Sequence, residues 1–161
     1  SPVGPLLLLG HGCGPGSGPG PALTAVLMDL QARDPDPGRI GTRDDAALAP
    51  ARDQLEAYFA GTRQAFDLVV AGAGTPFQRR VWAELCRIPF GSTITYGELA
   101  RRIGQPTASR AVGLANGQNR LAIVVPCHRV VGAGGALTGY AGGIERKRWL
   151  LDHERRQGVL F

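Results

Sequence analysis

Apolar residues come in two textures along the chain. Through residue 74 they stand in short blocks, Leu6 to Leu9 and Leu23 to Leu30, separated by a Gly/Pro stretch from Gly10 to Pro21. The first block reads as a strand that leads into a turn, and the Gly/Pro stretch as a loop. Residues that pair with this opening strand are expected ahead of Ser1. Gln31 to Pro50 is polar, carries prolines and reads mostly as loop. Leu55, Tyr58 and Phe59 then recur at helical spacing, and Phe66 to Val70 reads as a further strand before Ala-Gly-Ala-Gly at 71–74. This half is expected to be a small α+β unit.

After Gly72 and Gly74 the apolar positions move to helical spacing. Phe77, Val81, Leu85 and Ile88 make one stripe, with Trp82 beside it and Thr75-Pro76 placed as N-cap and first helical residue. Tyr96, Leu99 and Ile103 predict a shorter helix that stops at Gly104, and Ala108 to Ala115 a third one after a turn. Two short helices joined by a tight turn predict a helix-turn-helix. Leu121 to Val125 is a continuous apolar run of strand length and Val130-Val131 another. With a hairpin-like link at Gly132 to Gly135 they predict a wing. Ile144 to about Gln157 closes the chain as a helix. The pattern thus divides the chain into an α+β unit over 1–74 and a mostly helical winged helix-turn-helix unit over 75–161.

Charge sharpens that division. Residues 1–74 hold five Arg against eight Asp or Glu, a balance of −3, while residues 75–161 hold twelve Arg and one Lys against five acids, a balance of +8. A basic unit beside an acidic one fits a polyanion-binding module joined to a non-binding one. With 161 residues, 43% of them apolar, the chain can bury a core. No apolar stretch approaches the roughly 20 residues of a membrane helix, and Ser-Pro-Val-Gly-Pro lacks the basic start of a signal peptide. The expectation is a soluble cytoplasmic protein with no membrane partner. Three cysteines, Cys13, Cys86 and Cys127, are too few and too scattered for a disulfide framework or a CxxC metal site.

The chemistry concentrates at Cys127. It follows a proline at the end of the apolar run and precedes His128, so a thiol stands on a turn with a base next to it. The thiolate is the reactive form, and a neighbouring imidazole lowers the thiol pKa or accepts its proton. Glu154 lies four residues after Leu150 and three after Leu151, on the apolar side of the last helix, where a carboxylate needs a buried partner.

The run from Asn119 to Val130, with Pro-Cys-His-Arg-Val intact at 126–130, resembles the signature of the O6-alkylguanine-DNA alkyltransferases. The resemblance extends to Phe77-Gln78, to Ile94-Thr95-Tyr96, to Ser109-Arg110-Ala111-Val112-Gly113 and to Gly139-Tyr140-Ala141-Gly142-Gly143. It covers residues 75 to about 156. In the first half, only Ser-Pro-Val-Gly-Pro and the Leu55 to Phe59 helix look like family features, so that part is taken as the family's ribonuclease H-like domain mainly by association.

The resemblance implies direct-reversal DNA repair. An O6-alkylguanine, with O4-alkylthymine as a further candidate, is flipped out of the duplex and its alkyl group passes irreversibly to Cys127 in a single turnover. It casts Cys127, His128 and Glu154 as a relay, with His128 reaching the thiol through a water. Asn119 ties the recognition helix to the active-site strand. Tyr96 crowds the target's 3′ phosphate and donates to guanine N3 as the leaving base gains charge. The main-chain carbonyls of Cys127 and Val130 read guanine, and the backbone N–H of Ala141, beside Tyr140, reads O6. Some relatives carry Ser where this chain has Ala141. Arg110 fills the gap left by the flipped base, and Thr95, Tyr96, Arg110, Ala111 and Gly113 meet double-stranded DNA through the minor groove. Small residues there allow close approach, and minor-groove contact carries little sequence information, as repair in any context requires.

No cofactor is expected. Some relatives hold a structural zinc in the first domain, but His11 and Cys13 are the sole such pair here, and two ligands do not make a four-coordinate site. No obligate protein partner is expected either. The main alternative is a non-transferring alkyl-lesion-binding protein, but such proteins lack the cysteine that this chain keeps. Regulators with an added cysteine-rich zinc domain need more than three cysteines. A cysteine hydrolase would need an oxyanion hole that nothing marks.

Overall fold

The computed structural model describes residues 1–12, 21–28 and 41–158. Strand β1 (Leu7–His11) pairs antiparallel with β2 (Ala22–Leu27), with an irregularity at Leu9/Gly10. Helix α1 (Ala49–Phe59) opens with Pro50 in its first turn and buries Ala51, Leu55 and Tyr58, the helical spacing expected of this segment. The loop expected over Gln31 to Pro50 lies outside the described residues as far as residue 40, and the helix takes its last two positions. Phe66 to Val70 does not form the expected strand. Val70 makes an isolated bridge to Leu23, and Val69 and Val70 are exposed. Phe66 and Leu68 pack against the core on one side, but the segment meets β2 at Leu23 alone, too short a pairing to make a strand.

The second half is built on helices whose ends are chemically specified. Helix α2 (Pro76–Leu85) starts with a full capping box: Gln78 N–H donates to Thr75 Oγ1 at 3.2 Å, and Thr75 N–H donates to Gln78 Oε1 at 2.7 Å. After strand β3 (Ile94–Thr95), helix α3 (Tyr96–Arg102) is capped by Thr95, whose Oγ1 accepts from Glu98 N–H at 3.1 Å. Gly104, at φ 74°, turns the chain toward helix α4 (Ser109–Gly117), and α3 packs on α4 as a helix-turn-helix requires. Helix α5 (Ile144–Gly158) closes the described chain.

The strand expected at Leu121 to Val125 is instead a turn. Val124 N–H donates to Ala122 O and Val125 N–H to Leu121 O, both at 2.8 Å, and Ile123 stands at φ 71°. The run is apolar because Leu121, Ile123 and Val125 are all buried in the core, and that burial does not need strand pairing. A left-handed, β-branched residue costs about 1–3 kcal/mol, so the surroundings must hold it there. Strand β4 (Val130–Val131) pairs in parallel with β3, and Gly132 to Gly135 forms a 3-10 turn over Ala133–Gly135 in place of the expected hairpin.

Strand β2 joins the two halves. Leu23 N–H donates to Val69 O and Leu23 O accepts from Ala71 N–H. Farther along, Val26 N–H donates to Arg120 O at 2.8 Å and Val26 O accepts from Ala122 N–H at 3.2 Å. The buried side chains make one cluster that includes Leu23, Val26 and Leu55 from the first half and Val81, Leu85 and Leu150 from the second. The turn that precedes Cys127 is therefore stitched to a strand from the other half.

Candidate active site

Cys127 opens a one-turn 3-10 helix, Cys127–Arg129, directly after Pro126. Its side chain is 5% exposed and lines a small pocket with Met28, Asn116, Asn119, Tyr140 and Ala141. Met28 comes from the end of β2, and its Sδ accepts from the Tyr140 hydroxyl at 3.5 Å. A Cβ at Gly142 would stand 2.8 Å from Met28 Sδ and 2.9 Å from Tyr140 Cε1, so a larger residue there would have to displace this wall.

The 3-10 turn directs His128 and Arg129 to the same carboxylate. Glu154 has no exposed surface and receives five hydrogen bonds. On Oε1 they come from His128 Nε2 at 2.8 Å, the Tyr58 hydroxyl at 2.9 Å and an Arg129 terminal nitrogen at 3.0 Å. On Oε2 they come from Arg129 Nε at 2.8 Å and Gly91 N–H at 3.0 Å. Arg129 also donates to Ile88 O at 2.7 Å and lies over the Phe90 ring, 5.6 Å from its centroid. Burial alone would raise the Glu154 pKa, but the hydrogen bonds from His128 and Arg129 and the charge of Arg129 outweigh it, so the carboxyl stays ionised. Arg129 is the permanent cation of the group and supplies the neutralising charge.

His128 is fully buried, and burial holds its pKa below the ordinary imidazole value against the pull of Glu154. The resting ring is therefore neutral. With Nε2–H donated to an ionised carboxylate, the second nitrogen, Nδ1, is an acceptor, and it has no hydrogen-bond partner among the described residues. The arrangement can take one proton at Nδ1 and stabilise the resulting cation through Glu154.

Asn119 holds the strained turn. Its Nδ2 donates to Val125 O at 2.8 Å and its Oδ1 accepts from Leu121 N–H at 3.0 Å. It spans the turn itself and so fixes the exit of α4 against the approach to Cys127, where a strand had been expected. Tyr96 is half-buried at the start of α3, with its hydroxyl 3.5 Å from the carbonyls of Thr138 and Gly139, a separation too long for a strong bond. Tyr140 is half-buried and Ala141 exposed. On the outer side of α4, Arg110 and Ala111 are exposed and Gly113 is half-buried, and Thr95 caps the adjoining helix. Arg110 makes no hydrogen bond or ion pair among the described residues. The structure thus gathers Cys127, His128, Glu154 and Asn119 in one buried group and leaves Arg110 outside it.

His11 is exposed at the end of β1, and Cys13 lies outside the described residues. Among the described residues no group of three or more His, Cys, Asp or Glu is placed to hold a metal, and no helix is long and apolar enough to cross a membrane.

Four residues of the site escaped the sequence reading. Tyr58 and Arg129 are the additional side chains that hold Glu154. Lys147, fully buried, donates to Val130 O at 2.6 Å and Thr138 O at 3.0 Å. Asn116, 2% exposed, donates to Cys127 O at 3.3 Å. The Cys127 carbonyl accepts from Val130 N–H as well as from Asn116, which engages both of its lone pairs. The signal for Lys147 was a lone lysine in a chain whose other basic residues are all arginine.

Comparison with known proteins gives one family. Residues 76–156 match the model for the DNA binding domain of 6-O-methylguanine DNA methyltransferase, and residues 1–71 the model for its ribonuclease-like domain. A methylated-DNA–protein-cysteine methyltransferase of Mycobacterium tuberculosis is 52% identical over 155 residues, 96% of this chain and 88% of the relative. One from Methanosarcina acetivorans is 47% identical over 154 residues, 96% of this chain and 94% of the relative. The crystal structure of M. tuberculosis OGT in complex with DNA superposes with a TM-score of 0.87 at 52% identity, covering 98% of this chain and 90% of that one.

Proposed function

The chain belongs to the 6-O-methylguanine DNA methyltransferase family, and from that membership we propose that it repairs O6-alkylguanine in double-stranded DNA by moving the alkyl group to its own Cys127. In the reaction the Cys127 thiol gives its proton, through a water, to His128 Nδ1. The thiolate sulfur attacks the alkyl carbon in line with the C–O6 bond, a C–S bond forms, and the C–O6 electrons pass to guanine. The leaving base is reprotonated and returns as guanine. Tyr96 donates to N3 as that charge develops, and the Cys127 and Val130 carbonyls with the Ala141 N–H hold the flipped base.

The observation that carries this reading is a pocket-lining Cys127 next in the chain to His128, whose Nε2 is bonded to the buried Glu154 and whose Nδ1 is left as an acceptor. A thioether is not reopened by ordinary cellular reductants, so each molecule acts once. Residues 75–161 carry DNA binding and transfer, with Arg110 filling the duplex as the base leaves and Thr95, Tyr96, Ala111 and Gly113 approaching the minor groove. Residues 1–74 support them. The relatives from M. tuberculosis and M. acetivorans come from cells whose DNA lies in the cytoplasm, which supports a cytoplasmic location. The test is to incubate it with an O6-methylguanine duplex and weigh it: one methyl on Cys127 per molecule is expected, with none on Cys127→Ala. Release of more than one equivalent of repaired guanine per protein would overturn the mechanism.

A further inference from the structure

The relay includes a group from the other half of the chain. Tyr58 stands on α1, 96 residues before Glu154, and donates to Oε1, the same oxygen that accepts from His128 Nε2. Its ring is fully buried and held among Phe66, Phe90 and His153, with centroids 5.6, 6.2 and 5.3 Å away. Its carbonyl is paired with His153 Nε2 at 2.8 Å, so main chain and ring of Tyr58 are both tied to α5. Six rings pack around this meeting of α1 and α5, with Phe59 against Trp149 and Trp149 stacked on His153. A merely structural tyrosine could end this packing with its hydroxyl in water; this one ends on the carboxylate.

We propose that Tyr58 is a positioning residue for alkyl transfer, a hydroxyl supplied by the first half of the chain that fixes the carboxylate through which His128 is oriented. The inference rests on the transfer reaction proposed above and gives the first half a part in it. Three donors share Oε1, so each disperses the charge that the others meet. Burial and the neighbouring carboxylate push the Tyr58 pKa up, so the phenol keeps its proton and donates throughout the working range. The charged and titratable groups facing this centre are Glu154 and Lys147 from α5, His128, Arg129 and Cys127 from the 3-10 turn, Tyr58 itself, His153 behind its ring, Tyr140 from the pocket wall, and Cys86 near Arg129. Removing the Tyr58 hydroxyl leaves more negative charge on Oε1 facing Nε2. That stabilises the imidazolium, so His128 takes its proton at higher pH, and Glu154 loses a restraint on its orientation.

The test uses the full chain carrying Tyr58→Phe, which keeps the ring, and measures the single-turnover rate of methyl transfer from an O6-methylguanine duplex from about pH 5.5 to pH 9. The fraction of protein finally methylated, read by mass, corrects for inactive molecules. Gln54→Ala is the control. It breaks the exposed pair of bonds between Gln54 and Asp67 and loosens the same helix away from the carboxylate. The expected result is a rate about tenfold lower at neutral pH, the size of one hydrogen bond to a charged group, with the acid limb of the profile displaced to higher pH. Gln54→Ala should keep the parent's profile. A Tyr58→Phe profile that superposes on the parent's, or one lowered equally at every pH, would overturn the positioning role. A parent protein that accepts no methyl would defeat the transfer reading instead.

Discussion

Glu154 and Arg110 are both charged helix residues of the second half, and their surroundings are opposite. Glu154 has no exposed surface and takes five hydrogen bonds from α1, the Gly91 loop and the 3-10 turn. Arg110 is exposed on α4 and its side chain makes no hydrogen bond or ion pair among the described residues. The carboxylate is fully satisfied internally; the guanidinium offers five donors to something outside the chain. On the proposed reading the difference separates chemistry from recognition: the buried group moves a proton and the α4 face meets DNA.

The largest effect should come from emptying the buried centre. Glu154→Ala leaves Arg129 as a buried cation without its carboxylate, and breaking such a pair costs about 3–5 kcal/mol. Urea denaturation should show that loss in its midpoint, and a change below about 1 kcal/mol would mean the centre is more solvated than its burial indicates. Asn119→Ala comes next. It removes both side-chain bonds that hold the turn at Ile123, at about 1–3 kcal/mol, and should slow alkyl transfer to duplex and free base alike. A loss confined to duplex DNA would move Asn119 to the recognition side of the comparison.

Acid should act on the same centre with a smaller effect. His128 is held below its ordinary pKa, so the unfolded chain binds that proton first and stability falls as pH drops below about 6.5. Glu154 is held below the ordinary carboxylate range. Its contribution is complete above the unfolded value of about 4.3 and is lost as pH falls through the lower folded value. The melting temperature should therefore decline on acidification from near-neutral pH, and His128→Asn should flatten the upper part of that decline. A melting temperature constant from about pH 7 to pH 5 would contradict the neutral, buried imidazole.

Much of this comparison could be read from the residues. The Thr75-Pro76 start of α2 follows from a local rule that the sequence displays, and Glu154 on the apolar side of α5 announced a buried partner. The partner's full surroundings did not show. Tyr58 lies 96 residues away and Arg129 lies 25 away, and no spacing rule links a helix in one half to a turn in the other. The run Leu121 to Val125 misled because apolar residues report burial, and both a strand and a pinned turn can be buried. What decides between them is Asn119, whose two bonds close the turn, together with the edge of β2 that receives Leu121 and Ala122.

The separation of chemistry from recognition is tested most directly by two substrates and two variants. Single-turnover rates are measured for Glu154→Gln and Arg110→Ala, each with an O6-methylguanine duplex and with free O6-benzylguanine, after confirming that Arg110→Ala unfolds within about 0.5 kcal/mol of the parent. Glu154→Gln should lose rate on both substrates, by about a hundredfold if proton transfer is its role. Arg110→Ala should lose about tenfold or more on the duplex, where the flipped base leaves a gap to fill, and nothing on the free base. Equal losses on the two substrates for Arg110→Ala, or a Glu154→Gln defect seen only with DNA, would contradict the account.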